Sequence, residues 1–326
     1  MVDVHFFESI EKVVSAMDAL GVEGFGGGTV PVKLNMGEKG NRYYLSPAIV
    51  KLVVDRLKAA GAEPFLFDTT VAYPSARSKV DGYRRVAQSH GFGEREMRCR
   101  LVIGEKGTKI TESGYSFEVA KEICDSTHIV VLSHVKGHIQ SGFGGAIKNL
   151  GMGGVTKETK KRIHFWSIPR ILPEQCEQCG SCAEVCPLNA ISVGVEWQYD
   201  SATCDGCGKC VQACPNDALS YRVMDLQKGL ALAAKACIKN KRPLYLNVLT
   251  NITRNCDCDP NPGPIICPDI GYLASTELAA IDRASLDLVD RAKPGVFQKT
   301  LGIDPWRQVR YAEEFGLPSE YQLKRL

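Results

Sequence analysis

Apolar and polar positions along this chain follow the periods of strands and helices in alternation. Residues 30–36 are mainly apolar and predict a strand, and Ser46-Pro47 then begins a helix that ends near Gly61. Residues 64–68 form a second apolar run. The segment from 30 to 68 is therefore predicted to be a βαβ unit, in which the two strands lie parallel.

The same alternation continues on both sides of a cysteine-rich stretch in the middle of the chain. Further strands are predicted at 101–103, 129–133 and 244–252. Further helices are predicted near 78–89, 117–124, 225–239 and 276–291. We therefore expect a three-layer, open-sheet α/β domain built from both flanks, residues 1–172 and 222–326, with residues 173–221 inserted between them as a separate module.

The inserted stretch contains a repeated cysteine pattern. Cys176-x2-Cys179-x2-Cys182-x3-Cys186-Pro187 recurs as Cys204-x2-Cys207-x2-Cys210-x3-Cys214-Pro215. This doubled pattern is typical of two [4Fe–4S] clusters, in which three close cysteines and one remote cysteine hold each cluster. The first cluster is expected to use Cys176, Cys179, Cys182 and Cys214, and the second Cys204, Cys207, Cys210 and Cys186. A zinc knuckle has no use for this doubled spacing. Over 173–221 the chain resembles the two-cluster bacterial ferredoxins, which implies an α+β ferredoxin-like module.

Composition excludes several other classes of protein. The 326 residues carry 40 basic and 37 acidic side chains, so no strongly charged face for nucleic acid is indicated. No apolar run approaches the length of a membrane span, and the first residues lack the features of an export signal. We expect a cytoplasmic protein, in which the high number of cysteines, 14, indicates metal ligation rather than a disulfide scaffold.

Polar residues follow four of the predicted strands. They are Gly37 to Asn41, Asp68 to Thr70, Ser133 to His138, and Asn255 to Cys258. In an open α/β sheet, ligands bind beyond the carboxyl ends of the strands, so these segments are expected to converge on one cleft. His134 and His138 are candidates for acid–base work or ligation there, with ordinary loop histidines as the alternative. Lys148, in a glycine-rich turn before a helix, is a candidate for binding an anionic group.

Six cysteines lie outside the repeat, and three of them are close together. Cys256 and Cys258 are two residues apart, a spacing that in extended chain points both thiols to one side, and Cys267 follows nine residues later. Together they are candidates for a third metal site holding zinc, iron or another cluster. Redox-active thiols are the second interpretation, and unligated cysteines in a tight loop are the third.

The flanks resemble a family of iron–sulfur-centre proteins, domain-of-unknown-function family 362. The matching segments are Val32-Lys33-Leu34-Asn35 with Gly37, Lys58 to Glu63, Lys148-Asn149-Leu150-Gly151, and Asp269-Ile270-Gly271 leading to Ala279-Ala280-Ile281-Asp282. The resemblance implies an α/β iron–sulfur protein with a redox role but no agreed reaction. The family usually has Asp-Pro-Val-Ala-x-Asp where this chain has Glu277 to Asp282, so only the second acidic residue of that pattern is kept.

The sequence thus predicts a reductase-type oxidoreductase. Low-potential electrons from a ferredoxin, flavodoxin or similar donor are expected to pass through two [4Fe–4S] clusters to an unknown small-molecule substrate, or to a metal, in the cleft. Cys256 and Cys258 would ligate or do redox chemistry, the two histidines would handle protons, and Lys148 would pair with an anion. Two alternatives remain open: a non-catalytic electron carrier or assembly partner of a larger redox enzyme, and a sulfur-transfer protein using Cys256 or Cys258.

Overall fold

A computed structural model describes residues 1–326. Its strands are β1 (Val2–Phe7), β2 (Thr29–Lys33), β3 (Glu63–Thr69), β4 (Arg100–Gly104), β5 (Gly107–Glu112), β6 (Tyr115–Ala120), β7 (His128–His134), β8 (Lys136–His138), β9 (Gly142–Gly144), β10 (Pro169–Ile171), β11 (Ile191–Val193), β12 (Trp197–Tyr199), β13 (Leu219–Tyr221), β14 (Arg242–Leu249), β15 (Gly271–Ser275) and β16 (Tyr321–Arg325).

Helices follow most of the strands. They are α1 (Lys12–Ala19), α2 (Pro47–Ala59), α3 (Val80–Ser89), α4 (Glu94–Met97), α5 (Lys121–Cys124), α6 (Ala146–Gly153), α7 (Lys157–Trp166), α8 (Ser181–Glu184), α9 (Lys209–Ala213), α10 (Leu226–Ile238), α11 (Leu278–Ala292), α12 (Val296–Leu301) and α13 (Arg307–Glu314). Short 3-10 turns occur at Val22–Phe25, Ala76–Ser78 and Pro173–Gln175. None of the helices is both long enough and apolar enough to cross a membrane.

Eight strands form one central sheet in the order β16-β1-β15-β14-β7-β2-β3-β4. All neighbours are parallel except at β15, which runs antiparallel to both β1 and β14. Strands from both sides of the cysteine-rich stretch contribute to it. The predicted mixed α/β fold with a large, mostly parallel sheet is confirmed.

Alternate residues of the sheet enter two separate cores. Ile129 and Val131 of β7 lie in a cluster of 45 buried hydrophobic residues, whereas Val130 and Leu132 lie in a cluster of 30. Successive side chains of a strand point to opposite faces, so the two clusters are the two faces of the sheet. Helices α6, α10 and α11 cover the first face, and α1, α2 and α3 cover the second.

One predicted helix is partly wrong. Residues 115–120 are strand β6, which pairs with β5 in a hairpin, and only Lys121–Cys124 is helical. The two residues between the strands, Ser113 and Gly114, both have positive φ, which is the geometry of a type I′ hairpin turn. Phe117 and Val119 alternate toward the core as a strand requires, which a helical interpretation overlooks.

The cysteine-rich stretch folds with its own small core and two short sheets. Strand β10 pairs with β13, and β11 pairs with β12. The sequence repeat is also a backbone repeat, because equivalent positions share the left-handed conformation: Gly180 and Gly208 with φ of 82° and 73°, and Asn189 and Asp217 with φ of 51° each. The pairing begins at Pro169 and ends at Tyr221.

A buried carboxylate joins three elements on the first face of the sheet. Asp282 of α11 accepts hydrogen bonds from the backbone N–H groups of Ala146 (2.7 Å) and Ile147 (2.8 Å) at the start of α6. It also accepts one from the side-chain amide of Asn247 on β14 (2.8 Å). The glycine-rich turn before α6 was a candidate anion site, and the protein's own carboxylate satisfies these N–H groups.

Replacement of Asp282 by alanine is expected to destabilise the protein strongly. Three buried donors would lose their acceptor, which costs about 3–5 kcal/mol of unfolding free energy. Urea unfolding of the Asp282→Ala variant measures this. Asp287→Ala on the same helix is the matched control, because Asp287 is only half-buried and accepts one hydrogen bond from Tyr321; its expected cost is below about 1 kcal/mol. Equal losses in the two variants would contradict this role of Asp282.

Candidate functional site

A cavity of about 1050 Å³ opens at the carboxyl ends of the central parallel strands. Side chains at or after the ends of β2, β3, β7 and β14 line it, together with residues of α6 and α7. A second cavity of about 1050 Å³ adjoins it on the solvent side. The two cavities share five lining residues: Tyr73, His138, Gln140, Cys256 and Cys258. The polar segments singled out in the sequence therefore meet in one region.

The structure brings five of the six predicted cleft residues together. His134, His138, Lys148, Cys256 and Cys258 all line the inner cavity. Cys267 does not, because it is 2% exposed within the hydrophobic core on the first face of the sheet. The expected three-cysteine group is thus not assembled, and Cys256 and Cys258 stand as a pair.

Cys256 and Cys258 lie in a tight turn rather than in extended chain, since the N–H of Asp259 donates to the carbonyl oxygen of Cys256 at 3.0 Å. The side-chain amide of Asn35 donates to the sulfur of Cys258 at 2.9 Å. A hydrogen bond from the Cys256 thiol and the nearby positive charges of Arg77 and Lys148 hold the pKa of Cys258 well below its usual value, against the effect of burial. These surroundings favour the thiolate form of Cys258 beside the thiol form of Cys256.

Buried cations hold this thiolate in place. Arg77 donates to the side-chain oxygen of Asn35 at 2.9 Å, so that Asn35 links the guanidinium to Cys258. Lys33 lies 3.0 Å from the carboxylate of Asp68 and donates to Asn149 at 2.6 Å. Both cations are 1% exposed. The positive charge of Arg77 lowers the pKa of the Cys258 thiol.

The two predicted histidines have different surroundings. The Nε2 of His134 donates to the carbonyl oxygen of Thr250 (2.7 Å), and its Nδ1 faces the carboxylate of Asp257 (3.2 Å). Burial raises the pKa of Asp257, but the charges of His134 and Lys136 outweigh it and keep the pKa below its usual value. His134 thus fixes the turn that carries both cysteines, and has no ring nitrogen free for a ligand.

His138 is available to the cavity. Its Nδ1 accepts hydrogen bonds from the backbone N–H groups of Gln140 (3.3 Å) and Ser141 (3.2 Å), which leaves the proton of the neutral ring on Nε2. Burial, together with the charges of Lys148 and His164, lowers the pKa of His138 well below its usual value. His138 is therefore expected to be a neutral imidazole with its proton on Nε2, available to the cavity.

Lys148 is the cation of the inner cavity that has neither a carboxylate nor a hydrogen-bond partner, whereas Lys160, also without an ion pair, donates to Thr69 and Thr70. Lys33, Arg77 and Lys136 each lie within 4 Å of an aspartate, whereas Lys148 forms no ion pair. Helix α6, fixed by Asp282, directs it to the cavity. Lys148 is therefore suited to bind an anionic ligand.

The eight cysteines of the repeat surround two small cavities of about 340 Å³ each. The first is lined by Cys176, Cys179, Cys182 and Cys214, and the second by Cys186, Cys204, Cys207 and Cys210. These are the two groups that the spacing predicts. Nowhere do three His, Cys, Asp or Glu side chains converge on one point at the distances of a single metal ion.

The second group of cysteines lies against the inner cavity. Asp205, within its loop, accepts a hydrogen bond from the side chain of Gln140 at 2.5 Å. The carbonyl oxygen of Asp205 accepts one from Nδ1 of His164 at 2.8 Å. Both Gln140 and His164 line the inner cavity, and Asp205 lines the cysteine cavity. Hydrogen bonds thus join the wall of the inner cavity to the loop of the second cysteine group.

Sequence reasoning did not single out three cations of the site: Lys33, Arg77 and Lys160. Lys33 could have been recognised from the sequence, because it is a single lysine in the otherwise apolar strand from Val30 to Leu34, and a buried charge there needs a partner. Lys160 could not, since it lies among other basic residues from Lys157 to Arg162. Its ammonium group donates to the hydroxyl of Thr69 (2.6 Å) and the carbonyl oxygen of Thr70 (2.5 Å).

Lys160 is expected to make stability depend on pH. Burial lowers its pKa from 10.5 to about 7, so between these values the unfolded chain binds more protons and stability rises with pH. From about pH 7 to pH 9 the gain is on the order of 2–3 kcal/mol. Denaturant unfolding at both pH values should show this gain in the native protein and in Lys161→Met, an exposed control, but not in Lys160→Met. An equal gain in all three would contradict the assignment.

Comparisons with known proteins give a family. Residues 30–287 match the family described as domain of unknown function (DUF362), which confirms the resemblance seen in the sequence. No curated protein matches the sequence significantly. Among solved structures, the lactate racemase apoprotein from Thermoanaerobacterium thermosaccharolyticum aligns with a TM-score of 0.45 at 13% identity, over 90% of this chain and 58% of that one.

A protein from Thermotoga maritima, solved as a structural-genomics target, aligns with a TM-score of 0.46 at 12% identity. That alignment covers 90% of this chain and 59% of the other. This chain thus spans less than two thirds of the length of either structure. The family match covers most of the sequence, from β2 into α11, and the chain therefore belongs to the DUF362 family.

Proposed function

We propose that this protein is an iron–sulfur oxidoreductase that delivers electrons to a small anionic substrate in the inner cavity. Two [4Fe–4S] clusters would be held in a ferredoxin-like module, one by each group of four cysteines. The observation that carries the proposal is the position of the second group. Its loop touches the wall of the inner cavity through Asp205, so electrons have a short path to the ligand.

The surroundings of the cysteines fit clusters rather than free thiols. The indole N–H of Trp197 is buried without an oxygen or nitrogen acceptor, beside Cys182 in the wall of the first cysteine cavity. The N–H of Ala190 donates to the sulfur of Cys186 at 3.2 Å. Donors directed at thiolate and sulfide are the usual means by which a protein stabilises such clusters and sets their potential.

When bound, the clusters would supply single electrons at low potential. The residues of the chain have the other roles. Lys148 binds the anionic group of the substrate, and His138 holds a proton at Nε2 beside it. The thiolate of Cys258 lies at the same place. Partial burial of the cavity strengthens the interactions of these charges.

Electrons are proposed to come from a small redox protein of the ferredoxin or flavodoxin kind. The first cysteine group supports this direction, because Cys179 is exposed to solvent. The second group is more buried and lies toward the inner cavity. The module would thus receive electrons on its outer side and release them inward.

Anaerobically purified protein is expected to contain about eight iron atoms and eight acid-labile sulfides per chain. Replacement of one buried ligand in either group, Cys182→Ala or Cys210→Ala, should lower both counts to about four, because each variant loses one cluster. Colorimetric iron and sulfide assays measure both.

The control is Cys99→Ala, since the half-buried thiol of Cys99 lies outside both cysteine cavities and packs against the second core. It should keep the full counts. Protein that contains zinc in place of iron, or that takes up neither iron nor sulfide on anaerobic reconstitution, would refute the proposed function.

A further inference from the structure

Cys256 and Cys258 occupy the boundary between the two large cavities. Both line the inner cavity, whose wall contacts the second cysteine loop through Gln140 and His164, and both line the outer one, which opens to solvent. A group at this boundary is within reach of electrons from inside and of a reactant from outside. His138 and Gln140 share the same position.

The turn at Asp257 favours reversible bonding between the two thiols. Because residues 256–259 form a hydrogen-bonded turn, the two Cα atoms are closer than in extended chain. A disulfide requires Cα atoms about 4.4–6.8 Å apart, a range that such a turn allows. The two side chains interact directly, since each is the largest influence on the pKa of the other.

We propose that Cys256 and Cys258 form a dithiol–disulfide couple that reduces an anionic disulfide substrate. This inference rests on the proposed function, since it names the acceptor of the electrons and the class of substrate. A thiolate beside a thiol is the arrangement that opens a disulfide by exchange. The unpaired ammonium group of Lys148 and the guanidinium of Arg77 favour a substrate that carries carboxylates.

The chemistry balances in two stages. The Cys258 thiolate attacks one sulfur of the substrate R–S–S–R, which breaks the S–S bond and releases RS⁻. The Cys256 thiol passes its proton to that leaving thiolate and attacks the Cys258 sulfur, which releases a second RS⁻ and forms the Cys256–Cys258 disulfide. Two electrons from a low-potential one-electron donor and one proton then restore the Cys256 thiol and the Cys258 thiolate.

The number of clusters matches the number of electrons that the exchange needs. Each transfers one electron, and one disulfide takes two. The substrate would reach the two thiols through the outer cavity. The mouth of this cavity is formed by Tyr73, Ile139 and the turn at Pro260. Tyr73 and Ile139 are more than a third exposed.

The test follows the two thiols directly in protein that retains its clusters. Anaerobic protein is treated with oxidised glutathione, a small anionic disulfide, then alkylated and analysed by peptide mass spectrometry. Cys256 and Cys258 are expected to lose their labels after oxidised glutathione and to regain them after dithionite. Cys267, on the same stretch of chain but in the core, is expected to keep its labelling unchanged.

A matched set of variants separates the couple from simple thiol oxidation. Reductive titration of protein treated with oxidised glutathione and freed of the excess should require about four electrons per chain, and about two in Cys258→Ala, which lacks the attacking thiolate. In Cys256→Ala the mixed disulfide of Cys258 with glutathione cannot be resolved, so a glutathione adduct on Cys258 should be seen by mass spectrometry. Cys267→Ala is the control and should still require about four. Iron content is measured on each sample, so that loss of the clusters, which refutes the proposed function, is distinguished from loss of the couple.

The anionic class of the substrate has its own test. Lys148→Met should slow oxidation of the couple by oxidised glutathione about tenfold but leave cystamine, a cationic disulfide, unaffected or faster. Lys51→Met is the control, because Lys51 is partly exposed, pairs with Asp55 on α2 and does not line either cavity. Equal slowing of both disulfides, labels that persist on both thiols after oxidised glutathione, or an extra sulfur or metal bound at the pair would overturn the inference.

Discussion

The carboxylate of Asp282 is the contact on which the site depends. It accepts hydrogen bonds from the N–H groups at the start of α6 and from the side chain of Asn247 on β14. These bonds fix the position of the helix relative to the sheet. Burial raises its pKa to about 6, and the surrounding donors offset part of that effect. From α6, Lys148 reaches the inner cavity and Asn149 reaches Lys33. The buried carboxylate of Asp282 thus fixes the positions of side chains that contribute positive charge to the cavity.

Much of the fold follows from local sequence. Ser46-Pro47 indicates the start of α2, and the structure has the Ser46 hydroxyl accepting from the N–H of Ala48. The grouping of the eight cysteines also follows, because the covalent spacing of each loop largely decides which thiols can meet. Residues 117–124 are different. Their apolar positions fit both a strand and a helix, and the turn at Ser113-Gly114, which decides between them, lies outside the stretch.

The site itself is less accessible from sequence. Lys33, Arg77 and Lys160 come from β2, from the turn before α3 and from α7, and their burial is tolerable only because distant partners meet them. The expectation for Cys267 fails for the opposite reason. Its proximity along the chain suggests that it joins Cys256 and Cys258, but the fold directs it into the core. Local spacing predicts groups within one loop, and tertiary packing decides which loops share a cavity.

The central claim is that iron–sulfur chemistry in the module is joined to thiol chemistry in the cavity. Anomalous X-ray scattering at the iron edge, from crystals grown without oxygen, tests it most directly. The account predicts iron in both cysteine cavities, with the second site on the side of the module that contacts the inner cavity through Asp205, and no metal between Cys256 and Cys258. Iron absent from the second cavity, or a metal bound at the pair, would contradict it.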